Sequence, residues 1–247
     1  LVHPHDGSTP VRVKVVTNTE PKRRNAIPQV ADGGGFKTRI TVVNTGSVTA
    51  RVTLKFNKAD PATHMTTPWD LKFVGDPSLQ NISIPAEASW SAITTGAAAS
   101  VSSGWGEIVS DQAVSGNAVF QFVQTDGRVQ EAAVPVANTL MQRLLLPFDN
   151  RNGFVTSFAV INMSATEVAQ IRVTFRDSQG QFIGVDRMPD IPPNGHLAIE
   201  LPNLFTYLWG LNGTMDLNAI SGHISLLGLR FNPTGAFTSF EAQSYNR

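Results

Sequence analysis

The sequence predicts an all-β protein with two tandem β-sandwich domains, immunoglobulin-like or jelly-roll-like, and an extended N-terminal arm. Three observations lead to this prediction. One stretch of sequence occurs twice, short strand-like segments follow one another without long helical patterns, and Gly, Pro, Asn or Asp separates most of them. A chain of 247 residues has room for two such domains, each with a core of its own.

The repeated stretch is P-Q-V-A-D-G-G-G-F at 28–36, which returns as P-F-D-N-R-N-G-F at 147–154. Phe36 and Phe154 are 118 positions apart (154 − 36), and so are Asn44 and Asn162 (162 − 44). Further landmarks recur in the same order, and we therefore interpret the chain as one module used twice. These landmarks are 52–56 with 172–175, 84–85 with 191–192, and 113–116 with 219–222.

The predicted divisions are an arm at 1–23, a first module at 24–138 and a second module at 139–247. In the arm, V-R-V-K-V-V at 11–16 alternates apolar and basic residues, as a half-buried strand does. A polar linker follows at 17–25. Strands are predicted at 38–43, 51–56, 71–74, 82–84, 90–94, 106–109 and 118–123 in the first module. In the second they are predicted at 158–161, 171–175, 181–185, 196–201, 214–217 and 223–229.

Turns and joins complete the outline. The glycines at 33–35 predict a tight turn before a strand, and R-D-S-Q-G at 176–180 predicts a hairpin turn. Residues 204–209 predict a short helix capped by Asn203. The segment 96–104 lacks helical periodicity and is predicted to be a loop. The join at 139–148 is apolar, so we expect the two modules to pack on each other.

The first module carries 12 extra residues, because 57–83 is 27 residues long and its counterpart 176–190 only 15. The extra residues include His64, Trp69 and Asp70. They form either an enlarged hairpin or a contact loop.

Composition excludes several classes of site. Without cysteine there are no disulfides, thiolate metal sites or cysteine nucleophiles. A formal net charge of zero gives no field for nucleic acid, and no apolar run approaches the ~20 residues that span a bilayer. The chain begins with Leu1, and we expect a mature, secreted chain that is extracellular or at the cell surface. Sequons at Asn81, Asn162 and Asn212 would permit glycosylation.

The segment P-Q-V-A-D-G-G-G-F-K-T-R-I-T-V-V-N-T-G resembles a tandem β-sandwich module of predicted secreted and cell-surface proteins of environmental bacteria. S-G-W-G-E-I-V-S-D, V-S-G-N-A-V-F, E-A-A-V-P and L-G-L-R-F-N-P-T-G-A-F resemble the same module, so the resemblance covers most of 26–240. It implies an extracellular β-sandwich without assigned chemistry. The second module departs from it, having D-N-R-N-G where the first has A-D-G-G-G.

Catalytic, metal and cofactor sites are not predicted, because H-E-x-x-H, G-x-S-x-G and P-loop motifs are all missing. The segment H-P-H-D at 3–6 is interpreted as a polar chain end, and the other histidines as surface or strand residues. Four acids could supply a carboxylate pair for glycoside hydrolysis, although turns and solvent faces are their usual places. Tryptophans could stack on sugars, but core packing is favoured. The histidines are His64, His196 and His223. The acids are Glu107, Asp111, Asp126 and Glu131, and the tryptophans are Trp69, Trp90, Trp105 and Trp209.

The arm remains as a candidate for assembly. Its alternative role is that of a first strand paired within its own chain. It lies outside the repeat, however, and has no counterpart between the two modules. We therefore hypothesise that its strand fills an open sheet edge of a neighbouring copy by strand complementation. The residues of this assembly strand are Val11, Arg12, Val13, Lys14, Val15 and Val16.

The function expected from these observations is that of a structural protein, not an enzyme. Copies would join head to tail into a pilus-like filament or a surface layer, because donor strand and acceptor edge are different surfaces. The alternative is a cell-surface adhesin whose contact loop at Trp69 touches surface glycans or a partner protein.

Overall fold

Strands dominate both halves of the chain in the computed structural model, which describes residues 23–124, 127–137 and 141–244. The all-β prediction is confirmed. The first half contains β1 (Arg23–Asp32), β2 (Phe36–Asn44), β3 (Ala50–Ala59), β4 (Thr66–Pro68), β5 (Ile82–Ile84), β6 (Ser89–Ile93), β7 (Ser102–Ser110), β8 (Val114–Val123) and β9 (Val129–Pro135). The second contains β10 (Arg143–Asp149), β11 (Val155–Asn162), β12 (Gln170–Asp177), β13 (Phe182–Arg187), β14 (His196–Glu200), helix α1 (Leu201–Leu204), a 3-10 turn (Thr206–Leu208), β15 (Asn212–Ser221), β16 (Ile224–Phe231), β17 (Phe237–Glu241) and β18 (Gln243–Ser244).

Each half is a sandwich of two antiparallel sheets. The first half pairs its strands in the orders β1-β7-β3-β4, with β5 also on β3, and β6-β2-β8-β9. The second half repeats this arrangement as β13-β12-β15-β10-β18 and β14-β11-β16-β17. Alternating side chains such as Ile40 and Val42 on β2 point inward, and Thr41 between them points outward. The two inner faces of each sandwich therefore meet in one hydrophobic core per half.

Asn44 at the end of β2 ties three segments of the first half together. Its side chain is fully buried, and its Nδ2 lies 2.7 Å from the carbonyl oxygen of Val48 and 3.0 Å from those of Ile84 and Pro85. Its Oδ1 accepts a hydrogen bond from the backbone N–H of Gly46 at 2.9 Å. The asparagine side chain thus makes hydrogen bonds to backbone groups that have no partner in a neighbouring strand.

Asn162 does the same in the second half. Its Nδ2 lies 2.7 Å from the carbonyl oxygen of Glu167 and 3.1 Å from those of Ile191 and Pro192, and its Oδ1 accepts from Ser164 N at 3.0 Å. The repeat therefore preserves a hydrogen-bond network as well as a sequence. A glycan on this buried nitrogen would have to displace those bonds, so the folded chain offers no room for one at Asn162.

The other two sequons are more accessible. Asn81 is exposed just before β5, and Asn212 is half-buried at the start of β15. Glycosylation at these two positions stays a prediction.

Several expected elements differ from the structure. Residues 71–74 are not a strand, because only an isolated bridge joins Phe73 to Thr94. The predicted linker ends earlier, since Arg23 already begins β1. The helix begins at Leu201, with Glu200 at its N-cap, and Asn203 lies inside it. The landmarks at 113–116 and 219–222 are not equivalent: the first lies at the start of β8, the second at the end of β15 and in the turn after it.

Strands β1 and β10 were missed because each contains a proline. Pro28 lies at an irregularity in the pairing of β1 with β7, and Pro147 lies on β10 beyond the two residues that pair with β18. The N–H that Pro28 lacks costs no ladder bond at this irregularity, and Pro147 has no described partner on the β18 side of β10. The predicted turns are confirmed: Gly33, Gly34 and Gly35 all have positive φ, and Gly33 closes on Phe36.

One sheet is covered on both faces. The inner face of β14-β11-β16-β17 packs on the second core, while its outer face lies against β1 of the first half. Leu227 on β16 accordingly belongs to the first core although it comes from the second half. F-A-V-I at 158–161 is a continuous apolar run instead of an alternating one, as strands buried on both sides are.

We predict that Asn44→Ala and Asn162→Ala each lower the free energy of unfolding by about 3 kcal/mol, because carbonyl oxygens are left buried without a donor. Urea unfolding followed by tryptophan fluorescence measures this. Asn117→Ala, at an exposed position of β8, is the control and should change stability by less than about 0.5 kcal/mol. An equally small effect at Asn44 or Asn162 would contradict the role assigned to them.

Candidate functional site

The two halves meet at the turn that precedes β14, and this contact is the main polar cluster of the described residues. It begins at an irregularity in β1. Ile27 pairs with Gly106 and Val30 with Gly104, so two residues of β1 face the single residue Trp105 on β7. This is a β-bulge, which adds one residue and redirects its side chain.

The bulge is specific to the first half. In the second half Leu146 pairs with Met215 and Phe148 with Gly213, so one residue faces one residue. Gln29 is therefore an extra residue with no counterpart on β10. Its Oε1 lies 2.7 Å from Nε2 of the buried His196, the first residue of β14.

Three further bonds reach the same turn. Trp105 Nε1 donates to the carbonyl oxygen of Asn194 at 2.9 Å, and the Thr66 hydroxyl donates to the same oxygen at 2.8 Å. The backbone N–H of His196 donates to the carbonyl oxygen of His64 at 3.0 Å. Three segments of the first half, at Gln29, at 64–66 and at Trp105, thus contact the turn at 194–196 of the second half.

Gly195 lets the backbones come this close. A side chain at this position would place its Cβ only 2.7 Å from the carbonyl oxygen of His64. The equivalent position in the first half is Ala88, because Asn44 N bonds to Ala88 O as Asn162 N bonds to Gly195 O. The equivalent turn thus accepts an alanine, whereas at position 195 a Cβ would lie too close both to the carbonyl oxygen of His64 and, at 2.8 Å, to that of Pro192.

Apolar side chains surround this cluster. Trp105 is 1% exposed and packs with Ala26, Ile161 and Met163, on facing surfaces of the two halves. The outward side chains of β11 are small or apolar, whereas two of the three on the equivalent strand β2 are larger and polar. The aligned pairs are Arg39 with Ser157, Thr41 with Ala159, and Val43 with Ile161.

Burial lowers the pKa of His196 to about 4. The carbonyl of Pro28 opposes this change, and the nearby His64 adds to it as the other titratable group facing the ring. The imidazole therefore stays neutral in the folded protein at ordinary pH and serves as a hydrogen-bonding group of the contact. Sequence reasoning placed His64 and His196 in unrelated segments and missed their encounter.

One end of the predicted contact loop contacts the second half of the same chain. His64 and Thr66 contact the second half, and Trp69 is half-buried against the first core. Asp70 is exposed and pairs with Lys72 at 2.6 Å. One end of the loop thus joins the first half to the second half of the same chain. A glycan-binding role for Trp69 and Asp70 stays a prediction.

Among the candidate acids, the described Glu107 and Glu131 do not form a catalytic pair, Asp111 accepts a hydrogen bond from the backbone N–H of Arg51 at 2.8 Å, and Asp126 lies outside the described residues. Glu107 lies on β7 between Arg24 and Lys55, with which it forms ion pairs, and Glu131 lies on β9 in the other sheet, where Gln121 donates to it. Asp216 on β15 pairs with Arg143 at 3.0 Å in the position equivalent to Glu107. A central acid beside an arginine is therefore part of the repeated sandwich.

The residues of the predicted assembly strand cannot be placed in this way. Val11, Arg12, Val13, Lys14, Val15 and Val16 lie outside the described residues. In the ranges that are described, no three His, Cys, Asp or Glu side chains cluster closely enough to hold a metal ion. The helices of those ranges are also too short to cross a bilayer.

Comparisons with known proteins assign no family. No protein-family model matches the chain, and no curated protein matches it. The resemblance of the repeated module to secreted bacterial β-sandwich proteins stays a prediction.

We predict that the contact weakens in acid because of His196. Its folded pKa lies below the ordinary value of 6.5, so the unfolded chain takes up the proton first. The stabilisation is complete above about pH 6.5 and is lost as pH falls to about 4, by roughly 3 kcal/mol in total. Urea unfolding of the wild type and His196→Gln across this range should show the loss only in the wild type. The exposed His223→Gln is the control and should behave like the wild type.

We also predict that Gly195→Ala destabilises the chain by about 1–3 kcal/mol, because the added methyl group meets the carbonyls of His64 and Pro192. Ala88→Gly at the equivalent turn is the control, and should cost no more than about 1 kcal/mol. Thermal unfolding measures both. Equal effects of the two substitutions would show that the close approach of His64 is unimportant.

Proposed function

We propose that this chain is an extracellular structural subunit that assembles into a filament or a surface layer. Residues 11–16 of one copy would be added as a strand to a sheet of the next copy. Because donor and acceptor surfaces differ, the contact is head to tail and propagates.

The observation that carries this proposal is the start of β1. Arg23, its first residue, pairs with Ser110, the last residue of β7. Strand β7 therefore has no residue after Ser110 with which a segment that precedes Arg23 could pair. The other side of β1 is occupied, since Ala26 bridges Ala137 and the following residues lie against the second half. We therefore expect the strand-like segment at 11–16 to pair outside this sheet.

The contact between the two halves supports the same proposal. A subunit that transmits register along a filament must hold its donor and acceptor surfaces in a fixed relation. The four hydrogen bonds at Asn194 and His196, and the sheet buried on both faces, hold the halves in that way. A formal net charge of zero also removes repulsion between copies. The resemblance of the repeated module supports the extracellular location.

We predict that deletion of residues 1–22 leaves a folded monomer, because it removes the donor strand and leaves β1 intact. Analytical ultracentrifugation and negative-stain electron microscopy of the full-length and shortened chains measure this. Replacing 17–22 by a Gly/Ser segment of equal length is the control, which should still assemble. Polymers formed by the shortened chain would rule out strand donation.

A further inference from the structure

Most edge strands of the described sheets are covered by the chain itself. Strand β1 lies against β11 and β16, and helix α1 lies beside β14. Strands β9 and β17 face each other, and the Ser239 hydroxyl donates to the carbonyl of Ala133 across the gap. Strand β4 has only three residues, ends in Pro68, and is attached to the second half through Thr66. Covering segments and prolines are two usual means by which proteins protect a sheet edge from pairing with another chain.

Strand β13 lacks this protection. It occupies the position that β4 holds in the first half, but it has six residues, contains neither Pro nor Lys, and pairs on one side only, with β12. Its side chains Phe182 and Val185 are 62% and 45% exposed. The edge strand β6, by contrast, exposes serines, while its Trp90 and Ala92 pack on the first core.

The exposed apolar side chains of β13 share one face. Val185 pairs with Thr174, and after the irregularity at Phe175 and Arg176 the next partner of β12 is Phe182. Thr174 and Arg176 both point away from the core, so Phe182 and Val185 lie together on the outer face. The result is an apolar strip beside unpaired backbone groups.

The opposite face of β13 is polar at its rim. Asp186 is exposed there, whereas Arg187 pairs with the outward Arg172, lies on the outer face and forms an ion pair with Asp190 at 2.7 Å. The ring of Tyr207 covers Gly184 on this face, 3.4 Å from where a Cβ would be. Tyr207 and Trp209 are themselves about half exposed and extend the surface beside the strand.

The segment at 11–16 matches both faces. Consecutive residues of a strand point to opposite sides, so Val11, Val13 and Val15 would lie on one face, and Arg12, Lys14 and Val16 on the other. When it is added to β13, the first three valines can pack on Phe182 and Val185 while the cations lie on the side of Asp186. No other open edge of the described sheets offers an apolar face together with an opposite acidic one.

We propose that β13 is the acceptor edge for residues 11–16 of a neighbouring copy. This inference rests on the proposed function and adds the site at which the copies join. Backbone hydrogen bonds supply affinity, and the alternation of valine with Arg12 and Lys14 selects the face. The added strand also covers the edge that is otherwise open to uncontrolled pairing.

Engineered cysteines test the contact directly, because the full chain contains none of its own. One preparation carries Val11→Cys, Val13→Cys or Val15→Cys, and a second carries Val185→Cys. Mixed under oxidising conditions, one pairing should give a disulfide-linked dimer on a non-reducing gel, since a disulfide needs Cα atoms within about 7 Å. In the control, Ser91→Cys on the open edge β6 replaces Val185→Cys. The yield of disulfide-linked dimer should then be at least about tenfold lower. Equal yields with Ser91→Cys, or no dimer in any pairing, would overturn the proposal.

A second variant separates this proposal from the proposed function. Val185→Lys places a charge on the apolar strip and should raise the concentration for half-maximal assembly at least about tenfold. Val74→Lys, at another exposed valine, is the matched control and should leave assembly unchanged. If deletion of 1–22 prevents assembly while Val185→Lys does not affect it, β13 is not the acceptor but strand donation stands. If assembly persists without 1–22, or the wild type does not assemble, both proposals fail. A double variant of Val13→Cys and Val185→Cys that closes only within one chain would show that the segment pairs with its own β13.

Discussion

The docking of three first-half segments on the turn at 194–196 is the contact on which the rest of the structure depends. Burial of the outer face of β11 and β16 supplies apolar surface, roughly 25 cal/mol for each Å² removed from water. The hydrogen bonds of Gln29, Trp105 and Thr66 fix the register, because a buried polar group left without a partner costs about 1–3 kcal/mol. The two sandwiches therefore form one body instead of two domains on a linker, and their remaining sheet edges point in fixed directions.

Each feature that joins the halves departs from the repeat. Gln29 is a residue that β10 lacks, His64 belongs to the longer loop of the first half, and Gly195 replaces the alanine of the equivalent turn. The network around Asn44 and Asn162, by contrast, is the same in both copies because it is internal to each sandwich. Duplication thus preserved the sandwich, and the differences between the copies created the contact between them.

Local signals in the sequence were sufficient for much of the fold. Alternation along β2 and β3, and the turn residues at 33–35 and 176–180, act over a few positions and predict the same elements that the structure contains. Strands β1 and β10 escaped prediction because each is interrupted by a proline, and Pro28 is tolerated only through a bulge that no local pattern reveals. The meeting of His64 with His196 depends on how one half is placed against the other. Alignment of the two modules with each other could have indicated it, since the outward Arg39 and Thr41 of β2 are replaced by the smaller Ser157 and Ala159 on β11.

The most direct test of the single-body account is native-state hydrogen exchange of the full chain, followed by mass spectrometry on peptides from β2 and β8 in the first half and from β12 and β15 in the second. If the halves are locked, the slowest amides of both should exchange with the same opening free energy, within about 1 kcal/mol, and should respond equally to added urea. Exchange of one half at a clearly lower free energy, while the other stays protected, would contradict the account.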